Sequence, residues 1–299
     1  MFIKMKNEIL VSVIIPTYKN RGLLCQAIDT ALAQDYQNVE VVVVDDNSPD
    51  SEARQNTESQ MLKYETDPRV RYIKHEFNKN GAAARNTGIK ASKGDLIAFL
   101  DDDDEFLPGK LTAQVSFLQS HKDYHAVYNL ATVNGLPVKT LPYEGDATIP
   151  LLKNQTRMFT PSLMFWKYTL LEIGGFDESF RRHQDYELLI KFFAKGYKIG
   201  CIQKIYTNVN DIGGNRIVGK DLENLKCSYL KTFDNVLNRL EQKEPGIKKS
   251  IIVNNYASVF ISHLASHKYR RAMAIFFRYG ILNPGAFLSH IVFFIKMHG

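Results

Sequence analysis

Leu96–Pro108, LIAFLDDDDEFLP, joins an uncharged apolar run directly to the densest negative charge in the chain. Leu96–Leu100, opened by Gly94-Asp95 and closed by acids, reads as a fully buried strand. Carboxylates crowded together at Asp101–Asp104 repel one another unless a cation neutralises them. Hard oxygen donors of this kind suit Mg²⁺ or Mn²⁺, ions that also bridge phosphate oxygens. A calcium EF-hand is excluded, because Phe106 stands where that loop requires glycine. The alternative is a solvated acidic loop or a helix start before Pro108. Placement at the end of a strand favours a site.

Working outward, the same pattern repeats upstream. Val11–Pro16 is a β-rich run stopped by proline, and Arg21–Gln34 follows with helical spacing through Leu24, Ile28, Ala31 and Leu32. Glu40–Val44 is almost wholly valine and ends in Asp45-Asp46-Asn47-Ser48-Pro49, and Val70–Lys74 follows the turn at Asp67-Pro68. Near-continuous apolar strands separated by helices predict a mostly parallel α/β sheet covered on both faces. Ligands of such sheets bind beyond the carboxyl ends of the strands. Pro16-Thr17-Tyr18, Asp45-Asp46 and Asp101–Asp104 should therefore converge on one edge. Further on, Ala126–Ile149 reads as strands and turns with a hairpin signal at Asn134-Gly135. A helix is predicted from Asp185 to a C-cap at Gly196, and the pattern after Lys220 is helical with a break at Pro245-Gly246.

The composition is that of a globular protein: 299 residues, 44% hydrophobic and 23% charged. Length allows one large domain, or a catalytic domain with a smaller appendage. The formal charge of +6 is uneven, with acids clustered early and bases thickening after Lys220. An anionic partner for the tail, such as a phospholipid surface or a phosphorylated lipid, would explain that asymmetry; a solvated basic face is the plainer reading. Cys25, Cys201 and Cys227 have no metal-ligand spacing and fit a reducing compartment. MFIKMKNEIL lacks the apolar core of a secretory signal, and no stretch approaches 18 uninterrupted apolar residues. A cytoplasmic location is expected.

The order of the motifs is more specific than any one of them. VSVIIPTY (Val11–Tyr18) resembles the opening strand of family 2 glycosyltransferases, the inverting GT-A class, and VVVVDDNS (Val41–Ser48) resembles that family's second strand with its nucleobase-binding acid. GAAARNTG (Gly81–Gly88) is similar to its glycine-flanked Arg-Asn helix, and FLDDDDEFLP (Phe99–Pro108) to its Asp-x-Asp metal motif. GGFDESF (Gly174–Phe180) and QDYELLIKFFAKG (Gln184–Gly196) resemble its acceptor-side loop and catalytic-base helix. The likeness runs in order from about residue 10 to residue 200, two-thirds of the chain. It implies a GT-A fold, a Rossmann-like nucleotide-diphospho-sugar transferase architecture, with a catalytic domain over 1–220 and a C-terminal helical region over 221–299.

Roles follow from chemistry and from that resemblance together. The Asp46 carboxylate, an acceptor only, could take the N3–H of uracil; its alternative is an Asx-type turn, the role expected of Asp45 and Asn47. Tyr18 could stack on the base beside Pro16 and Thr17, or simply pack. Arg85 reads as a diphosphate or aspartate contact, or as a surface arginine, and Asn86 as a loop organiser. The family pattern gives Asp103 to the metal, Asp101 to the ribose or the metal shell, and Asp102 to the variable place in the nucleotide-sugar site; Asp104 is expected to cap a helix starting near Pro108. Asp185 is the candidate general base. The family usually has Glu-Asp where this chain has Gln184-Asp185, which puts the base's electrostatic surroundings in question. Glu187 is a second choice, and a helix N-cap is the alternative role for Asp185. Trp166 could stack on a sugar or sit in the core or rim. His183 could touch phosphate or acceptor. YTNVN (Tyr206–Asn210) lacks the histidine that some relatives add as a metal ligand.

The expected activity is a hexosyltransferase-type, metal-dependent transfer of one sugar, the processive Gln-x-x-Arg-Trp signature being absent. The implied donor is a UDP-sugar, the cofactor Mn²⁺ or Mg²⁺, and the acceptor a lipid-linked saccharide or polysaccharide of the cell surface; no nucleic acid is expected. The basic, aromatic-rich segment 268–297 would lie on the inner face of a membrane, or pack on the catalytic domain or on a second subunit in a homodimer. The alternative to an enzyme is a catalytically impaired nucleotide-sugar-binding relative acting as a scaffold, a reading that Gln184 keeps open. A nucleotidyltransferase and a dinucleotide dehydrogenase both fail for want of a glycine-rich loop after the first strand.

Overall fold

The computed structural model describes residues 9–19, 22–180, 183–211 and 218–298. They form two compact units, one of residues 1–138, 142–148 and 158–211, the other of 139–141, 149–157 and 212–299. Residues 139–141 and 149–157, inside the 1–220 span of the expected catalytic domain, thus group with the second unit.

The first unit is built on strands β1 (Val11–Thr17), β2 (Val39–Asp45), β3 (Val70–Lys74), β4 (Leu96–Phe99), β5 (Glu105–Phe106), β6 (Ala126–Val133), β7 (Leu136–Pro137), β8 (Leu163–Trp166) and β9 (Ile199–Val209). They make one sheet in the order β3-β2-β1-β4-β8-β6-β9-β5, with β7 paired to β6. The first four are parallel, β8 runs antiparallel to both of its neighbours, and β6 and β9 are parallel to each other. Since β8 reverses direction twice over, the carboxyl ends of β6 and β9 return to the edge where β1, β2 and β4 end. The mixed, mostly parallel α/β sheet agrees with the expected class.

Helices α1 (Leu24–Leu32), α2 (Glu52–Met61), α3 (Gly81–Ala91), α4 (Lys110–Ser120), α5 (Thr148–Leu152), α6 (Lys167–Glu172) and α7 (Gln184–Ala194) follow in chain order. One sheet face packs Val13, Ile15, Val41 and Val43 against Leu24 and Ile28 of α1 and Leu111 and Val115 of α4. The opposite face carries Val42 and Val44 against Ala84 of α3, and Phe99 in edge contact with Phe165, which meets Phe192 of α7. Every residue of β2 is buried, which is why the strand is nearly all valine. Burying one such side chain stabilises by about 1.5–3 kcal/mol, enough to offset the roughly 1–2 kcal/mol of backbone entropy lost per ordered residue.

The second unit is helical: with all of α5 but Thr148, it holds α8 (Gly219–Thr232), α9 (Asp234–Lys243), α10 (Ile247–Ala265), α11 (Tyr269–Ile275) and α12 (Pro284–His298), with a π-turn at Phe276–Gly280. Its core joins Val253 and Ala257 of α10 to Phe287 of α12, with Phe260 and Phe276 packed alongside. Gly246, with φ of 91°, takes the left-handed conformation that starts α10, the break expected at Pro245-Gly246.

Candidate active site

At the carboxyl edge of the sheet, β2 ends in a corner that its acids hold closed. Asp45 is wholly buried; it pairs with the Arg54 guanidinium at 2.9 Å and accepts from the Tyr72 hydroxyl at 2.5 Å. It also accepts from the Asn47 peptide N–H at 2.9 Å, the Asx turn expected there. Asp46 is 2% exposed and accepts four hydrogen bonds: from His75 Nδ1, Asn78 Nδ2 and the peptide N–H groups of Lys79 and Asn80, at 2.7–2.8 Å. A carboxylate has about four lone-pair sites, so none is left for a uracil N–H in this arrangement. Asp46 therefore shapes the 75–80 loop, and the nucleobase role expected of it has no open acceptor. That loop sets Asn80 at φ of 111°, from where its side chain caps α3 at Ala82 and Ala83.

α3 presents Arg85 to the edge. Its guanidinium donates to Asp101 Oδ1 at 2.5 Å and to Gln184 Oε1 at 3.1 Å, and lies 5.5 Å over the Phe176 ring. A Cβ at Gly81 would come within 3.2 Å of Arg85 Nη1, so the glycine at the start of α3 makes room for this contact. Asn86 organises a loop, as expected: it donates to Phe176 O and Glu178 Oε1, both at 2.9 Å, and accepts from the Phe176 N–H at 2.8 Å. Gly175 has φ of +68° and a Cβ there would stand 2.3 Å from Asn86 Oδ1. The clasp closes only on glycine.

Within the aspartate run, Asp102 accepts from the Thr17 hydroxyl at 2.5 Å, tying β1 to the site. Burial, then the neighbouring Asp103 and Asp101 carboxylates, push its pKa up to about 6 against the Thr17 bond. Asp104, 3% exposed, is raised to about 8, first by burial and then by Asp101. The helix-capping role expected of Asp104 is not found. α4 starts at Lys110 behind a left-handed Gly109, and Asp104 instead accepts from the Asn210 N–H at 2.8 Å. Asn210, just beyond β9, also donates to Asp103 O at 2.7 Å and Glu105 Oε1 at 3.1 Å. It is the residue that sequence reasoning missed: the stretch was noted for the histidine it lacks, and nothing in its spacing marks an asparagine 106 positions away from Asp104 as its partner.

Asp185 opens α7 beside Gln184 and accepts from the Tyr186 N–H at 2.9 Å. Burial raises it to about 6, opposed by that N–H and by Arg85 and reinforced by Asp101. The structure thus sets Arg85, Asp101 and Asp185 within one electrostatic neighbourhood. Gln184 accepts from Arg85 and donates Nε2–H to Phe180 O at 2.7 Å. A glutamate could not make the second bond. Glu187 faces away, paired with Lys191 at 3.1 Å and accepting from the Asp177 N–H. His183 adopts φ of 57° just before α7, its ring edge-on to Tyr186.

Tyr18, 47% exposed at the end of β1, offers an open aromatic face at this edge, with Lys19 Nζ 5.3 Å from its centroid. Pro16 and Thr17 are in β1 itself, Thr17 1% exposed. Trp166 is elsewhere. It pairs with Leu96 at the start of β4 and, with Lys93, Tyr124 and Lys167, lines a cavity of about 710 Å³ at the opposite edge. The rim position, not the sugar face, is what β8's antiparallel direction gives it.

Among the described residues, no three His, Cys, Asp or Glu side chains stand close enough to enclose a metal ion by themselves. The donors nonetheless suit a hard dication held by one or two carboxylates, with a ligand's phosphates and water completing the shell. They are all oxygen, and the upward shifts of Asp102 and Asp104, caused first by burial and then by the neighbouring carboxylates, include a repulsion that a cation would relieve.

Residues 12–187 match the family model for glycosyl transferase family 2. Over 200 residues the chain is 30% identical to the colanic acid biosynthesis glycosyl transferase WcaA of Escherichia coli, a putative assignment in that protein's own name, covering 64% of this chain and 68% of that one. It is 38% identical over 112 residues to the E. coli UDP-Glc:alpha-D-GlcNAc-diphosphoundecaprenol beta-1,3-glucosyltransferase WfgD, 38% of this chain and 42% of that protein. In fold it is similar to residues 1–349 of S. aureus TarS, solved in complex with UDP, at a TM-score of 0.61 and 20% identity over 86% of this chain and 72% of that one.

Proposed function

The chain belongs to glycosyl transferase family 2, and from that premise we propose that it moves one hexose from a UDP-sugar to a hydroxyl of a lipid-linked or polysaccharide acceptor, with inversion, at the cytoplasmic face of a membrane during cell-surface polysaccharide synthesis. The observation that carries the reading is Arg85, which joins Asp101 on the aspartate side to Gln184 next to Asp185. That link supports a reading in which the donor and base sides of a transfer site share one edge.

In this reading Tyr18 stacks on the base and Thr17 orders Asp102 within the nucleotide-sugar site. Asp103 and Asp101 would hold Mn²⁺ or Mg²⁺, an ion that would supply stabilisation of negative charge on the departing diphosphate. Arg85 adds a fixed positive charge close by. Asp185 takes the proton of the acceptor hydroxyl as that oxygen bonds to the anomeric carbon, and UDP leaves from the opposite face with the electron pair of the broken bond. WfgD, by its name, acts on a diphosphoundecaprenol-linked sugar, and that relative supports a lipid-linked acceptor. The test is release of UDP from a panel of UDP-sugars with Mn²⁺ and with EDTA. Metal-dependent release is expected for at least one of them. Binding without release from any would favour the scaffold reading.

Gln184→Glu probes the departure from the family pair. The new carboxylate would engage Arg85, lose the bond to Phe180 O and add negative charge next to Asp185, raising the pKa of the base. The acid limb of the pH profile of kcat/KM should move upward by about half a unit to one unit. An unmoved limb would mean that the residue at 184 does not tune Asp185.

A further inference from the structure

α11 and α12 both bury apolar residues on one side and expose others, α11 with Arg270 and Arg271 beside them. Their inner side packs on α10 through Ala272, Ile275 and Phe287. Large hydrophobic groups stand in solvent at helical spacing: Tyr269 59% and Met273 47% exposed on α11 and Phe277 61% on the π-turn that continues it, and Leu288 57%, Val292 51% and Ile295 61% on α12. Water-facing helices ordinarily carry polar residues there, and a helix apolar all round belongs in a core or against lipid. Exposed apolar stripes of this kind, when rimmed by charge, mark interaction sites.

The charge pattern selects the occupant. From Pro245 to Gly299 the chain contains no Asp or Glu and seven Lys or Arg. Arg270, Arg271, Arg278 and Lys296 are exposed beside the apolar stripes. A second copy of this face would bring like charges together around its apolar centre, whereas an anionic bilayer supplies both the apolar medium and the counter-charge. No helix among the described residues is long and apolar enough to cross a membrane, so the face would lie in the interface.

We propose that the outer face of α11 and α12 is a docking surface for an anionic phospholipid membrane. The inference goes beyond sugar transfer and is read without any nucleotide sugar, so its failure is separate from failure of the transfer reading. The full chain is sedimented with vesicles of phosphatidylcholine, with or without phosphatidylglycerol. Binding to the anionic vesicles only, weakened by salt as screening shortens the reach of the charges, is expected. Phe277→Glu with Val292→Glu should lower the bound fraction about tenfold or more, and Arg270→Glu with Arg271→Glu, which leaves the apolar face intact, should do so too. Circular dichroism checks that each variant keeps its fold. Absence of wild-type binding to anionic vesicles, or undiminished binding by both variants, would overturn the proposal. So would a wild-type dimer, seen by light scattering, that Phe277→Glu dissociates, since a second copy would then cover the face.

Discussion

Asp185→Asn is expected to lower kcat by about 10²–10⁴-fold, the range that a positioned general base contributes, while UDP-sugar binding persists. Asparagine keeps the shape and the acceptor for the Tyr186 N–H at 2.9 Å, but it cannot take a proton. The fold should survive, and the sign can be worked out. Burial raises the Asp185 pKa to about 6 from the ordinary 3.8. The folded state thus binds the proton more tightly than the unfolded chain, and stability from this group is present below the ordinary value and lost as pH rises through about 6. At neutral pH the neutral amide should leave thermal stability unchanged or raised. The same shift predicts that wild-type activity climbs with pH through about 6, as the carboxylate becomes available as a base, and that the variant's residual activity has no such limb. Near-normal turnover would remove Asp185 from its role.

Asp103→Ala should be comparably damaging through a different quantity. Loss of a metal-holding carboxylate removes stabilisation of the leaving diphosphate, worth several kcal/mol, so a fall of about 10³-fold corresponds to roughly 4 kcal/mol. The signature that separates it from Asp185→Asn is in binding: the Mn²⁺-dependent thermal shift given by UDP should disappear in Asp103→Ala and remain in Asp185→Asn. An intact shift in Asp103→Ala would place the cation on other oxygens of the edge. Neither measurement requires the acceptor to be known, because UDP reports both binding and release.

Much of this site was readable because its determinants are local. The near-continuous valines of β2 need only nearest-neighbour burial to become a strand, and a proline, an acid pair or an aspartate run at a strand's end marks the edge where parallel α/β sheets bind ligands. Arg85 and Asp185 enter through the resemblance of GAAARNTG and QDYELLIKFFAKG to family motifs, not through local propensity. The misreadings have a common cause. Asp104 was assigned to the nearest helix start, but Gly109 provides that start and Asp104 is claimed by Asn210. Asp46 was read by its chemistry as an open acceptor, yet donors from His75 to Asn80 saturate it. Trp166, open by residue type to a sugar face or to the core or rim, takes the rim because the antiparallel course of β8 turns it to the far edge. Gln184 looked like a loss of charge until its amide was seen to bond Arg85 on one side and Phe180 on the other.

By itself, then, the sequence determined β1, β2, β3 and β4 and the strand ends at which the aspartate run and its companions emerge, though not β5, β8 or β9, since hydrophobic periodicity and turn chemistry act over a few residues. Only the tertiary structure decided which of those acids are spent on one another's loops and which remain for chemistry. The deciding hydrogen bonds join residues up to 107 positions apart, brought together by the order in which β4, β8, β6 and β9 pair, and pairing order is a property of the closed sheet rather than of any segment within it.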